Sequence, residues 1–190
     1  MPVALPPLAG IALKYGTVAV TIHWLSAVAI LAMLGSGFRA VSLTDSAAKE
    51  AILMFHVTLG LVILVLTLLR LFWWWRVDQK PKPVAGDPAW QTLSAKGIHV
   101  LFYVVILGMV ASGIGTIAFS GAGSILFGAD VGPLPNFSEV LPRVPHGLGA
   151  RLMLALFLIH AGAALYHHFI KKDGLIWRMW FGSDDKGAGL

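Results

Sequence analysis

Residues 146–170 read HGLGARLMLALFLIHAGAALYHHFI. The run is long enough to cross a bilayer as a helix, which takes about 20 residues at about 1.5 Å rise each. It nevertheless carries His146, His160, His167 and His168 where a lipid-facing helix favours leucine. Polar side chains inside a membrane are costly and usually functional. His146 and His160 lie 14 residues apart. At about 100° per residue they point within about 40° of each other, with about 21 Å between them along the axis. One face of one helix thus offers an imidazole at two depths.

The rest of the chain has the same character. Of 190 residues, 57% are hydrophobic and 12% charged, and the mean hydropathy is +0.80. Soluble domains carry about 25% charged residues. Further apolar runs cover residues 17–38, 51–75 and 97–119. The first is longer than a signal-peptide core, lacks a small-residue cleavage pattern after it and contains His23 and Trp24, so it reads as a spanning helix. The expected architecture is an all-α membrane protein, a bundle of four transmembrane helices forming one domain over residues 1–190. A Gly-rich tail over about 181–190 reads as disordered, and no internal repeat is evident. Cysteine is absent, which excludes disulfides, thiolate-held clusters and a C-x-x-C-H haem attachment. No basic stripe stands apart from the apolar runs, so the net charge of +5 reflects topology rather than nucleic-acid binding.

Lys14, Arg70, Arg76, Lys80, Lys82, Lys96, Lys171, Lys172, Arg178 and Lys186 fall on one side of the predicted membrane. Only Arg39, Lys49, Arg143 and Arg151 fall on the other. The positive-inside rule places both termini and the loop between the second and third helices in the cytoplasm. Trp73, Trp74, Trp75, Trp90, Trp177 and Trp180 gather near that side, as an interfacial belt does.

In this topology His56 and His146 form an outer layer, while His23 and His160 form an inner one with His99, His167 and His168 below. Two imidazoles at each of two depths, on facing helices, suit bis-histidine b-type haem held without covalent attachment. A lone intramembrane histidine often serves only as an interhelical hydrogen-bond partner, and the two matched layers argue against that here. Zinc fits less well, because its ligands converge on one point and no H-E-x-x-H spacing occurs. The methionines read as packing. Gly60, Gly149 and Gly162 follow the histidines closely enough to let a flat macrocycle approach the backbone, or to pack helices. Arg70 at the inner level and Arg151 at the outer level are candidates to pair haem propionates. His99, at its helix end, reads either as a structural residue or as a partner for a haem propionate.

Particular motifs carry a resemblance. They are IHW around His23, FHVTLG around His56, Arg70 in TLLR, KPKP at residues 80–83, GIHVLFY around His99, and His146 followed by IHAGAALYHHF. With these the chain resembles the bacterial cytochrome b561 family of four-helix dihaem membrane cytochromes, over nearly its whole length. The resemblance implies that His23 and His160 bind the inner haem and His56 and His146 the outer one. It further implies a multi-pass inner-membrane protein similar to members that oxidise superoxide at the outer face and reduce ubiquinone, a superoxide:quinone oxidoreductase. His167 or His168 could supply the quinone's proton, because imidazole titrates near neutrality. Lys80 and Lys82 are further quinone candidates, though basic residues beside a membrane commonly touch lipid headgroups. The outer arginines and Lys49 would draw in a small anion. Two rivals remain: an electron-carrying subunit docked to a dehydrogenase or hydrogenase, and a haem-free transporter using histidine for proton coupling. No catalytic residue is assigned, and no positioned nucleophile or paired carboxylate suggests hydrolysis.

Overall fold

The computed structural model describes residues 14–77, 81 and 88–182. Lys80, Lys82 and the tail from residue 183 lie outside the described residues. Four long helices dominate: α1 (Thr17–Ser42), α2 (Ser46–Arg76), α3 (Ala89–Ser120) and, after the short α4 (Ala122–Leu126), α5 (Arg143–Tyr166). A π-helical turn, His167–Lys171, prolongs α5, and a 3₁₀ turn follows at Leu175–Met179. All four long helices are apolar enough to span a bilayer, with mean hydropathies from 1.8 to 2.7. Only 11% to 28% of each apolar window is buried inside the protein. Leu, Val and Phe side chains such as Phe55, Val65 and Phe72 point outward instead. Such a surface is a liability in water and the ordinary condition in lipid.

Each helix outruns the apolar run that announces it. The added turns are polar or amphipathic, as in SAAKE at residues 46–50 and AWQTLSAK at residues 89–96. Local chemistry fixes these ends. Asp45 caps α2 by accepting from the Ala48 N–H at 2.7 Å. Gly121 ends α3 with φ 73°, a left-handed conformation that an L side chain rarely adopts.

The bundle consists of two helical hairpins. α1 packs chiefly on α2, and α3 chiefly on α5, while α1 and α5 make little main-chain contact. A repeat unseen in the run lengths becomes evident in this arrangement. His23, Met33, Ser36 and Gly37 of α1 recur in α3 as His99, Met109, Ser112 and Gly113, each 76 positions later. His56 and Arg70 of α2 correspond to His146 and His160 of α5, each 90 positions later. The methionines serve alike: Met33 lies against Gly60 of its own hairpin, and Met109 against Gly149 of the other. The sequence-level expectation of no repeat is corrected. Residues facing lipid need only be apolar, so their varied identities hide the few matching positions.

The buried core is a thin apolar layer of Ala29, Ile63, Val105, Ile106, Met153 and Leu156, with Phe102, Met33 and Met109 packed against it. On every long helix these residues fall between the two histidine levels. Near the Lys/Arg-rich end the chain folds back on itself. The Trp24 indole N–H donates to the Met179 carbonyl at 2.8 Å, Trp180 packs edge-on against Trp24, and the Tyr15 N–H donates to the Arg178 carbonyl at 3.0 Å.

Candidate haem sites between the two hairpins

At one end of the bundle, α2 brings His56 to α5's His146, with ring centroids 6.1 Å apart and planes at 69°. At the Lys/Arg-rich end, α1 brings His23 to α5's His160, 6.3 Å apart at 63°. Each pair spans the seam between the hairpins. A metal–imidazole bond of about 2 Å on each side, plus the two ring radii, sets trans imidazole centroids about 6–6.5 Å apart. Both pairs have that separation.

The outer rings are held by one nitrogen each. His146 Nδ1 donates to the Met109 carbonyl at 3.0 Å, with Ser112 Oγ at 3.2 Å. Nδ1 therefore carries the hydrogen, and Nε2 keeps the lone pair that a metal requires. His56 Nδ1 lies 2.9 Å from Ser36 Oγ, whose own hydrogen goes to the Met33 carbonyl at 3.1 Å. The oxygen of Ser36 is thus left to accept from His56. Glycine makes room for both rings. A Cβ at Gly37 would stand 3.0 Å from His56 Cε1, and one at Gly113 3.1 Å from His146 Cε1. These two glycines lie directly against the outer rings. Gly60 and Gly149 accommodate methionine, and a Cβ at Gly162 would meet only open space.

The inner level is more crowded. The His99 ring lies 5.5 Å from that of His160, nearer than His23, and Phe102 also stands 5.5 Å from His160. Arg70 interacts electrostatically with His23 and His160. Among the described residues, Arg70 Nε and Trp73 Nε1 are buried donors without a hydrogen-bond acceptor. Buried donors without partners are costly, and two at this depth suit the carboxylates of a haem edge. At the outer end Arg151 is exposed and donates to the Gly147 carbonyl at 3.2 Å. Arg143, read from sequence only as part of the outer positive field, acts electrostatically on both His56 and His146.

His167 is buried at the start of the π-helical turn. Its Nδ1 bonds the Asp173 carboxylate, and its Nε2 accepts from Gln91 Nε2 at 2.7 Å. Lys171 Nζ donates to Gln91 Oε1 at 3.2 Å. Burial alone would raise the Asp173 carboxyl. The hydrogen bonds from His167 and from the Leu175 N–H, with the charge of Lys171, hold it below the usual carboxylate range. His168 instead packs its ring against Phe169 and Trp177. The two adjacent histidines therefore differ in kind, which the doublet alone did not disclose.

The donor set fits b-type haem: paired imidazoles across a seam, outer Nδ1 atoms fixed by second partners, and unsatisfied donors at the inner edge. Among the described residues, no three of His, Asp, Glu or Cys converge as a protein-only metal centre needs.

Comparison with known proteins gives the family. The profile of the prokaryotic cytochrome b561 family matches residues 14–182. Cytochrome b561 homolog 1 of Escherichia coli K12 is 31% identical over 175 residues, 87% of this chain and 96% of that protein. Cytochrome b561 homolog 2 of the same organism is 28% identical over 87% of this chain and 90% of its own length. A protein of Yersinia pestis named probable superoxide oxidase CybB is 27% identical over 87% of this chain and 95% of that protein.

Proposed function

This chain belongs to the prokaryotic cytochrome b561 family, and we propose that it carries electrons across the membrane from superoxide at the outer face to ubiquinone at the inner face, using two b-type haems. The family implies a multi-pass bacterial membrane protein that binds b-type haem and transfers electrons. That there are two haems rests above all on α5, which presents His146 and His160 at two depths, each facing a histidine of the other hairpin at nearly equal separation. In this reading His56 and His146 hold the outer group, and His23 and His160 the inner one. Haem supplies a one-electron couple at each level. Arg70 and the Trp73 indole face the inner group's carboxylates, and Arg143 serves the outer group better than Arg151.

The donor is taken from the Yersinia relative's name and from the outer cations. Arg39, Lys49, Arg143 and Arg151 give that face a positive field that favours a small anion. Superoxide donates one electron and leaves dioxygen. Ubiquinone takes two electrons and two protons, so two superoxide anions are consumed for each quinol. His167, fixed by Asp173, is the better placed of the two terminal histidines to pass a proton at the inner face, and Lys80 and Lys82 remain quinone candidates from sequence. The distribution of Lys and Arg supports an orientation with both termini in the cytoplasm, in keeping with an inner-membrane protein.

The test is a superoxide pulse applied to the purified full chain with ubiquinone. Superoxide-dependent quinol formation is expected, and it should be lost in His56→Ala and His23→Ala. Intact haem spectra without quinol formation would overturn the superoxide reading and favour an electron-transfer subunit working with a dehydrogenase or hydrogenase.

A further inference from the structure

The outer histidine pair is built twice from one short pattern. MLGSG at residues 33–37 and MVASG at residues 109–113 share Met, Ser and Gly at the same spacing. In each copy the serine hydroxyl meets the Nδ1 of a histidine from the partner helix of the same hairpin. Ser36 Oγ is 2.9 Å from His56 Nδ1. Ser112 Oγ is 3.2 Å from His146 Nδ1, and the Met109 carbonyl is 3.0 Å from it. The glycine next in sequence lets the ring lie against the backbone.

Serine in a membrane helix ordinarily satisfies itself on a carbonyl of the preceding turn. Both serines do so. Ser36 donates to the Met33 carbonyl at 3.1 Å, and Ser112 to the carbonyls of Gly108 and Met109 at 2.7 and 3.1 Å. Their oxygens are consequently directed as acceptors toward the imidazole N–H. Helix packing alone would ask for a small side chain, and alanine would serve. It would not require a hydroxyl aimed at a histidine in both copies. Among the described residues, no side-chain hydroxyl bonds His23 or His160, so the device belongs to the outer level only.

We propose that Ser36 and Ser112 are positioning residues that accept from the Nδ1–H of His56 and, beside the Met109 carbonyl, from that of His146, aim each Nε2 across the seam, and lower the reduction potential of the outer haem. The inference rests on the two-haem reading above. An acceptor at Nδ1–H makes the imidazole a stronger electron donor at Nε2 and favours the oxidised iron. Because the two serines act through different imidazoles, their effects should add.

The experiment is a redox titration of the full chain, with haem content measured alongside, for wild type, His146→Ala, Ser36→Ala, Ser112→Ala, the double serine variant, and Ser36→Thr and Ser112→Thr. The wild type should hold two haems and His146→Ala one. Each alanine variant should keep both haems and raise only the outer midpoint. The double variant should reach about a tenfold change in the reduction equilibrium, 59 mV for one electron. The threonine variants, which keep the hydroxyl, should titrate like wild type. Alanine variants with unmoved outer midpoints, or with both midpoints moving together, would overturn the serine role while leaving the two-haem reading intact. A wild type holding one haem, or a His146→Ala variant with undiminished haem, would remove the reading on which the proposal stands.

Discussion

His146 shows how one residue can carry several constraints. Its ring is tethered through Nδ1 to the Met109 carbonyl, lies against Gly113 and faces His56 at 6.1 Å. His146→Ala and His56→Ala are therefore expected each to remove the same single haem, and His23→Ala and His160→Ala the other, read from haem-to-protein ratio and visible spectra. Gly37→Leu tests the cradle independently. Its branched side chain would occupy the place of the His56 ring, so the outer haem should be lost and the inner one kept. Asp173 gives a pH-dependent test. Its carboxyl is held below the ordinary range, so the stabilising contact with His167 is fully present above a pH of about 4 and fades as pH falls through the lower, folded value. Asp173→Asn should lower the melting temperature at neutral pH and lose that deficit in strong acid, as thermal unfolding in detergent would show. The histidines were legible in sequence because imidazole is rare in an apolar run. Ser36, Ser112, Gly37 and Gly113 were not, because small residues are common on membrane helices for packing alone. The pattern written twice was the available signal.

At the scale of helices, the runs at residues 17–38, 51–75, 97–119 and 146–170 marked the four spans and their order but not their ends. Hydropathy reports where the hydrocarbon lies, and a helix can continue into the headgroup region on capping and amphipathic turns. Asp45 capping Ala48 and the αL turn at Gly121 set those limits. The return of the chain end onto α1 was equally silent in sequence. It depends on Trp24 and Trp180 meeting across more than 150 residues. Trp24→Phe keeps most of the packing and removes the indole hydrogen bond to Met179, a loss of about 1 kcal/mol. Limited proteolysis should then cut more readily near residues 175–182, with haem content unchanged.

The whole molecule is a pair of similar hairpins with a seam between them, an apolar layer at mid-height and histidine pairs above and below it. The two sites are not equivalent. The hairpin repeat sets His56 opposite His146 at the outer level, whereas at the inner level Arg70 stands where α5 has His160, and His99 repeats His23. The repeat alone would allow a symmetric outer site and an asymmetric inner one, and the two haems should accordingly differ in potential. Composition made the membrane class legible, and the resemblance in the histidine motifs made the family legible. The donor depends on surface chemistry that spacing does not encode, and Lys80 and Lys82 lie outside the described residues. The central claim is that α5 presents ligands at two depths, each completed by the opposite hairpin. The most direct measurement is the haem-to-protein ratio of the purified full chain and of its His146→Ala and His160→Ala variants. Two haems in the wild type, and one spectrally different haem retained in each variant, is the result this structure predicts; a single haem in the wild type, or the same haem lost in both variants, would contradict it.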